Sequence, residues 1–276
     1  MTIARKTQLG LIAVSIILFV LLFIAPKTSS SKKDEEMPPA NQTQIASMET
    51  FLTMFLKNLK PEDKAAYDVL VNQAQKSTTD SAYKNLVQFW DKQKRPDFAA
   101  YFVEKMASKK QTTESYTLAG DRYYYAVRFI KDNNEVPALY KAAQNCYQKA
   151  IDLDPKNADA KIQLASCYVE TGQDPMKGIG LLKEIEKVDS NNVKLQLTFA
   201  FFSVKSGQLD KAITRFNNVL RIDPLYIEAY LHLADAYEQQ GKTDKTVEML
   251  EKYATVTDDA MAKSEVLKYI EQLKKK

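Results

Sequence analysis

The chain has 276 residues, which is enough for one or two domains with a substantial core. Hydrophobic residues make up 45% of it and charged residues 27%, so the chain as a whole is not of the disordered class. The 39 lysines and arginines against 35 aspartates and glutamates exclude a nucleic-acid binder that depends on a concentrated basic face. One histidine and two cysteines exclude a disulfide framework and a Cys/His zinc cluster.

Residues 9–25 form an apolar run of seventeen residues without a charge, behind a short basic tail at 1–8. A helix of that length approaches the thickness of a bilayer's hydrocarbon core. The run is longer than the apolar region usual for a signal peptide, and no A-x-A cleavage site follows it. We therefore expect an uncleaved, single-pass transmembrane signal anchor in contact with the lipid bilayer. Cleavage as a signal peptide is the alternative.

The lysines and arginines that flank this run give opposite indications of its orientation. Arg5 and Lys6 favour a cytoplasmic N-terminus and an exported C-terminal domain, which in a bacterium is periplasmic. Lys27, Lys32 and Lys33 lie on the other side and favour the reverse. We predict a cell-membrane protein with an extracytoplasmic C-terminal domain, and the cytoplasmic orientation stays as the alternative.

Residues 26–43 are polar, with a serine run and three prolines, and this composition is typical of a flexible linker. An N-terminal helical region follows at 44–112, with helices expected to begin at Pro61, at about Asp80 and at Pro96.

Its first helix has an apolar stripe over residues 45–59 with 3-4-3-4 spacing. The stripe either covers the end of the domain core or forms a dimerisation seam. We favour the first interpretation because two heptads are too few for a coiled coil.

The main sequence signal is a repeat with a period of 34 to 35 residues. Glycines recur at 172, 207 and 241, and an alanine precedes each of them by seven residues. The positions that end the units, Pro155, Ser190, Pro224 and Asp258, have the same spacing. The glycine suits the left-handed backbone that ends a helix, and Asp-Pro stops the following helix.

This helix-turn-helix period resembles the tetratricopeptide repeat family. The resemblance implies an all-α fold, a right-handed α-solenoid of helical hairpins, here preceded by the transmembrane helix. Three repeats fill 157–258, and an extended repeat with about eleven additional residues occupies 113–156. Residues 259–276 are expected to form a capping helix, with an apolar face of Met261, Val266, Leu267, Ile270 and Leu273.

The chain departs from the family pattern at four positions. Gly178 and Thr246 stand where the family has alanine, and Ser190 and Asp258 stand where it has proline. We expect these changes to weaken single contacts without removing the period.

No motif in the sequence indicates catalysis, so we predict no enzyme activity, no cofactor and no metal site. His232 is the only histidine available to activate a nucleophile. Cys146 and Cys167 are expected to be small buried residues, with a disulfide between them as the alternative if the domain is exported.

In this family the first helix of each repeat lines a concave groove that receives a peptide or a partner helix. Carrying the register over gives a candidate partner-binding groove of Gln163, Ser166, Lys194, Leu197, Thr198, Phe201, Lys205, His232, Asp235 and Glu238, with Ile162, Glu170, Glu228 and Leu231 beside them. The groove is apolar in its middle and acidic towards its C-terminal end, which suits an amphipathic or basic partner segment. Alternatively, Phe201 and Val204 pack inside the superhelix.

These features predict a non-enzymatic, membrane-anchored scaffold or assembly factor that binds another protein and no nucleic acid. The first alternative is a structural component that self-associates as a homo-oligomer. The second is an enzyme of an unrecognised type.

Overall fold

The computed structural model describes residues 46–77 and 80–275, and every regular element in those ranges is an α-helix. The N-terminal region contains α1 (Met48–Leu56), α2 (Pro61–Lys76), α3 (Ser81–Lys92) and α4 (Pro96–Lys110). The repeats contain α5 (Thr113–Ala126), α6 (Val136–Leu153), α7 (Ala158–Thr171), α8 (Pro175–Val188), α9 (Val193–Lys205), α10 (Leu209–Ile222), α11 (Glu228–Gln239) and α12 (Thr243–Val256), and α13 (Ala260–Leu273) follows them.

From α2 onward each helix packs on the next along the chain, while α1 packs on α4 and α6, so the predicted all-α solenoid is confirmed for this part of the chain. The predicted basic tail, transmembrane helix and linker, residues 1–43, lie outside the described residues. Among the helices that are described, none is both long and apolar enough to cross a bilayer.

The helix starts in the N-terminal region follow the prolines. Pro61 and Pro96 each occupy the first turn of their helix, where the missing N–H costs no hydrogen bond. In the apolar stripe of α1, Met48 and Leu52 are buried, and Phe51 and Phe55 pack against the same core. The favoured interpretation, in which the stripe covers the end of the core, is therefore confirmed for the residues from 48 onward.

The predicted turns of the repeats are also present. Gly172, Gly207 and Gly241 have φ values of 66°, 71° and 71°, a backbone region that strains residues with a Cβ. At the end of α8, Asp189 accepts a hydrogen bond from the backbone N–H of Asn191 at 3.1 Å. Asp154 and Asp223, which precede Pro155 and Pro224, accept the same bond from the residue two positions on. Asp189 thus keeps this turn although Ser190 replaces the proline.

The two substitutions at alanine positions are both accommodated. A Cβ at Gly178 would lie 2.7 Å from the carbonyl oxygen of Ala165, so α7 and α8 approach closely because this residue is glycine. Thr246 is buried, and its hydroxyl donates to the carbonyl of Lys242 at 3.2 Å. The expected weakening is therefore offset at Thr246 by a satisfied hydroxyl.

Gly178 and Gly180 lie on the same helix and predict opposite responses to alanine. A Cβ at Gly180 meets nothing within 4 Å. Gly180→Ala should therefore raise the free energy of unfolding by about 0.5–1 kcal/mol, since glycine is costly inside a helix. Gly178→Ala should lower it by at least about 1 kcal/mol because the added methyl collides with the backbone of α7. Urea unfolding of the two variants measures both values. A gain in stability from Gly178→Ala would contradict the close-approach explanation.

The extended repeat and the capping helix differ in part from expectation. The additional residues of the extended repeat are divided between a loop at 127–135 and α6, which has 18 residues where α8 has 14. On α13, Ile270 and Leu273 are buried as predicted, but Met261 and Leu267 are 74% and 45% exposed. The predicted five-residue apolar face is therefore wrong at Met261 and Leu267. The helix α13 begins at Ala260, and only Val266, Ile270 and Leu273 pack with the buried residues of α12.

Candidate partner-binding groove

The groove positions lie on α7, α9 and α11, the first helices of the three repeats. Asparagine caps fix where two of these helices begin, since Asn157 accepts from the backbone N–H of Ala160 and Asn192 from that of Leu195. Because both caps stand at the same position of the repeat, the side chains of α7 and α9 follow in the same register.

Two predicted groove residues on α7 are not available to a partner. Ile162 is fully buried in a cluster with Leu182 and Leu195. Ser166 is also buried, and its hydroxyl donates to the carbonyl of Ile162 at 3.1 Å. The prediction is wrong for these two residues because both are buried, and Leu195 of α9 belongs to the same buried cluster as Ile162.

Gln163 faces the preceding hairpin. Its amide donates to Asp121 at 3.1 Å, and Asp121 also accepts from the hydroxyl of the buried Tyr147 at 2.8 Å. Gln163 therefore links two repeats. It is half-buried and lies among the groove positions at their N-terminal end.

Two ion pairs join α7 to α9 at the two ends of these helices. Lys194 donates to Asp159 at 2.9 Å, and Lys205 donates to Glu170 at 3.0 Å. All four side chains are at least one-third exposed, so each pair contributes about 0–1 kcal/mol. Both predicted groove lysines are thus already paired with carboxylates of the same surface.

The middle of the groove is aromatic. Phe201 is 44% exposed, and its ring makes edge contacts with Phe216 at 5.6 Å and with His232 at 4.9 Å between centroids. His232 is half-buried and stacks on Phe216 at 5.1 Å. Both interpretations of Phe201 hold in part, because one side of the ring packs on its neighbours and the other reaches solvent. Leu197, Thr198 and Leu231 are half-buried on the same pair of helices.

The C-terminal end of the groove is acidic. Glu228 and Asp235 are exposed on α11, and neither forms an ion pair within the described residues. Glu238 is also exposed and accepts from the hydroxyl of Tyr269 on α13. A cationic side chain of a partner would find unneutralised carboxylates there.

Burial lowers the pKa of His232 from its ordinary value, although nearby Asp235 and Glu228 raise it. The imidazole is therefore neutral at pH 7, and the aromatic middle of the groove has no charge of its own.

Acidification should destabilise the folded chain through His232. Because the pKa is lower in the folded than in the unfolded state, the unfolded chain binds the proton more tightly. The contribution of His232 is complete above about pH 6.5 and declines as the pH falls through that value towards the lowered folded pKa. We expect the wild type to lose more thermal stability than His232→Phe between about pH 7 and about pH 5. Equal losses in both proteins would contradict the burial of a neutral imidazole.

The described residues contain no cluster of three or more His, Cys, Asp or Glu that could hold a metal ion. Cys146 and Cys167 are buried and unbridged, so the disulfide alternative is wrong for this structure. Burial raises the pKa of both thiols above the ordinary value, that of Cys167 to about 12. Both thiols are therefore protonated at neutral pH and are weak nucleophiles.

Two features of this site were not predicted from the sequence, namely the burial of Ile162 and the stacking of His232 on Phe216. The stacking partner, Phe216, is fully buried and lies on the second helix of its repeat, and a groove assigned only from first helices does not include it.

A family model of the tetratricopeptide repeat matches residues 48–255. Among curated proteins, the mitochondrial import receptor subunit TOM70 of Rattus norvegicus is 30% identical over 105 residues, 37% of this chain and 17% of TOM70. Superkiller protein 3 of Schizosaccharomyces pombe is 27% identical over 107 residues, 36% of this chain and 8% of that protein. The matched segment thus spans less than a fifth of either relative.

Among solved structures, that of PilW, described as a widely conserved type IV pilus biogenesis factor, has a TM-score of 0.52 at 14% identity. The match covers 80% of this chain and 96% of PilW, and it supports the fold alone. The family model begins at residue 48, well before the first repeat that is visible by eye, so the N-terminal helices are included. The chain belongs to the tetratricopeptide repeat family.

Proposed function

We propose that this protein is a non-enzymatic, membrane-anchored scaffold or assembly factor that binds a segment of a partner protein along α7, α9 and α11. Proteins of this family generally mediate protein–protein interactions. TOM70, which shares 30% identity over 105 residues, is named as an import receptor subunit, and a receptor role of this kind supports the proposal.

The observation that supports it best is the neighbourhood of Phe201. A large apolar ring that is 44% exposed lies beside the unpaired carboxylates of Glu228 and Asp235 on the next first helix. A partner segment with an apolar residue and a lysine or arginine about one helical turn apart would complement both features. We therefore propose an amphipathic, basic partner segment.

Anchoring through residues 9–25 would raise the local concentration of the domain near membrane-bound partners, so that a weak groove affinity could suffice. We propose that the anchor is retained and that the repeats lie on the extracytoplasmic side. Protease accessibility of the repeats in sealed spheroplasts and inverted vesicles tests this orientation.

Phe201→Glu should abolish partner capture by the tagged full-length protein purified from membranes. The carboxylate removes the apolar contact and adds a charge at the centre of the groove, which should cost at least about 2 kcal/mol of binding free energy, roughly thirtyfold in Kd. Quantitative mass spectrometry of the captured proteins measures the loss, and circular dichroism checks that the variant stays helical.

Val188→Glu is the matched control, because Val188 is an apolar residue at the end of α8 that is 89% exposed and away from the groove positions. A partner that the control variant retains and Phe201→Glu loses supports the proposal. A partner that both variants retain, or the recovery of only a second copy of this chain, contradicts it and favours the N-terminal region or self-association.

A further inference from the structure

A pocket of about 760 Å³ lies where the α7–α8 hairpin meets the α9–α10 hairpin. Its walls come from α8, α9 and α10, and they include Phe199, Phe202 and Ser203 of α9. The groove residues of α9, such as Leu197 and Phe201, are not among its walls. The pocket is therefore on a different face of α9 from the groove.

Beside this pocket, α9 has large residues at two repeat positions where the neighbouring first helices have small ones. At the first of these positions α9 has Leu195, where the neighbouring first helices have Ala160 and Ala229. At the second position α9 has Phe202, where the neighbours have Cys167 and Ala236. The alanines and the cysteine are fully buried, and so is Leu195, whereas Phe202 is only half-buried and faces the pocket. A bulky ring at a position of close helix approach holds α9 away from α8.

The chemistry of the walls is apolar and cationic. Ile179, Phe199 and Phe202 supply apolar surface, and no carboxylate lines the pocket. Arg215 is held by Glu186 and Gln196, and its guanidinium lies 4.4 Å from the centre of the Phe199 ring.

Two lysines complete the walls, and both are open to a ligand. Lys183 and Lys211 are exposed, and neither forms an ion pair within the described residues. Lys211 donates only to the neutral amide oxygen of Gln208. These lysines therefore leave two positive charges unneutralised at an apolar pocket.

We infer that this pocket is a second docking site, for an acidic peptide segment with a large apolar side chain. The apolar side chain would lie against Phe199 and Phe202, and neighbouring carboxylates would reach Lys183 and Lys211. Charge complementarity favours this partner, since the two lysines of the pocket are not neutralised while the free charges of the groove are acidic. The two faces of α9 would then accept segments of opposite charge.

The test is a selection from a displayed library of random short peptides on the immobilised full-length protein. Enriched peptides are then labelled, and their binding is measured by fluorescence anisotropy. We expect an acidic group of peptides with leucine, phenylalanine or tryptophan. Their affinity should fall at least about tenfold for Lys183→Glu/Lys211→Glu and stay unchanged for Phe201→Glu.

The matched control is Lys187→Glu/Lys268→Glu, which makes the same change in net charge at exposed lysines outside the pocket walls. Loss of acidic peptides in the pocket variant alone supports the inference. The inference is overturned if the selection enriches no acidic peptides. It is also overturned if the acidic peptides bind every variant equally well, or if the control variant weakens their binding as much as the pocket variant does. Basic peptides that are lost with Phe201→Glu report on the groove, so the two proposals can fail separately.

Discussion

Arg95→Met should lower the free energy of unfolding by about 3–5 kcal/mol, because it leaves a buried carboxylate without its partner. Arg95 forms a two-bond pair with Asp97, with distances of 2.9 and 2.5 Å, and Asp97 is fully buried. The same guanidinium donates to Glu135 at 2.9 Å and lies 3.8 Å from the centre of the Phe98 ring. Urea unfolding followed by circular dichroism measures the loss.

Arg122→Met is the matched control. Arg122 also forms a two-bond pair, with Asp91, but those side chains are 31% and 44% exposed, so we expect a loss of no more than about 1 kcal/mol. Arg95→Met/Asp97→Asn should recover part of the loss seen with Arg95→Met alone, since the unpaired charge is gone. Equal effects of the two arginine substitutions would contradict the assignment of Arg95 to a buried charge cluster.

Gly120→Ala should lower the free energy of unfolding by about 3 kcal/mol, although alanine is the better helix former. A Cβ at Gly120 would lie 2.6 to 2.9 Å from three atoms of the Tyr147 ring. That ring is fully buried, and its hydroxyl is held by Asp121, so it cannot move aside. The loss should exceed that of Gly178→Ala, because α8 borders the open pocket and can shift. Urea unfolding measures the difference.

Tyr147→Leu supplies the test of this mechanism. The smaller side chain makes room for the added methyl, so Gly120→Ala should cost much less in the Tyr147→Leu background than in the wild type. Additive losses in the double variant would show that the ring contact is not the cause.

The sequence predicts the helices and their order well where single residues have strong local effects. Pro61 and Pro96 open helices, and Gly172, Gly207 and Gly241 end them in the left-handed conformation, because proline and glycine restrict or extend the backbone itself. The repeat period then places the first helices side by side, which is why most of the predicted groove residues of α9 and α11 are at least partly accessible.

The features that the sequence does not reveal depend on long-range packing. In the sequence, Asp97 looks like an ordinary acidic residue in the first turn of a helix. Glu135, which pairs with Arg95 across 40 residues, lies in the extended repeat, where the regular 34-residue period does not predict the neighbours of a residue. Ile162 matches a groove position but is covered by α9. Phe202 stands at the repeat position that holds Cys167 and Ala236, and only the structure shows that its ring lines a pocket.

The most direct test of groove binding is photocrosslinking from single positions of the full-length protein in intact cells. A photoreactive phenylalanine analogue replaces Phe201 in one variant and Val188 in the other, since both side chains reach solvent and only Phe201 is a predicted groove residue. Our account predicts an adduct with a different polypeptide from position 201 and none, or far less, from position 188. Adducts only between two copies of this chain, or equal adducts from both positions, would contradict it.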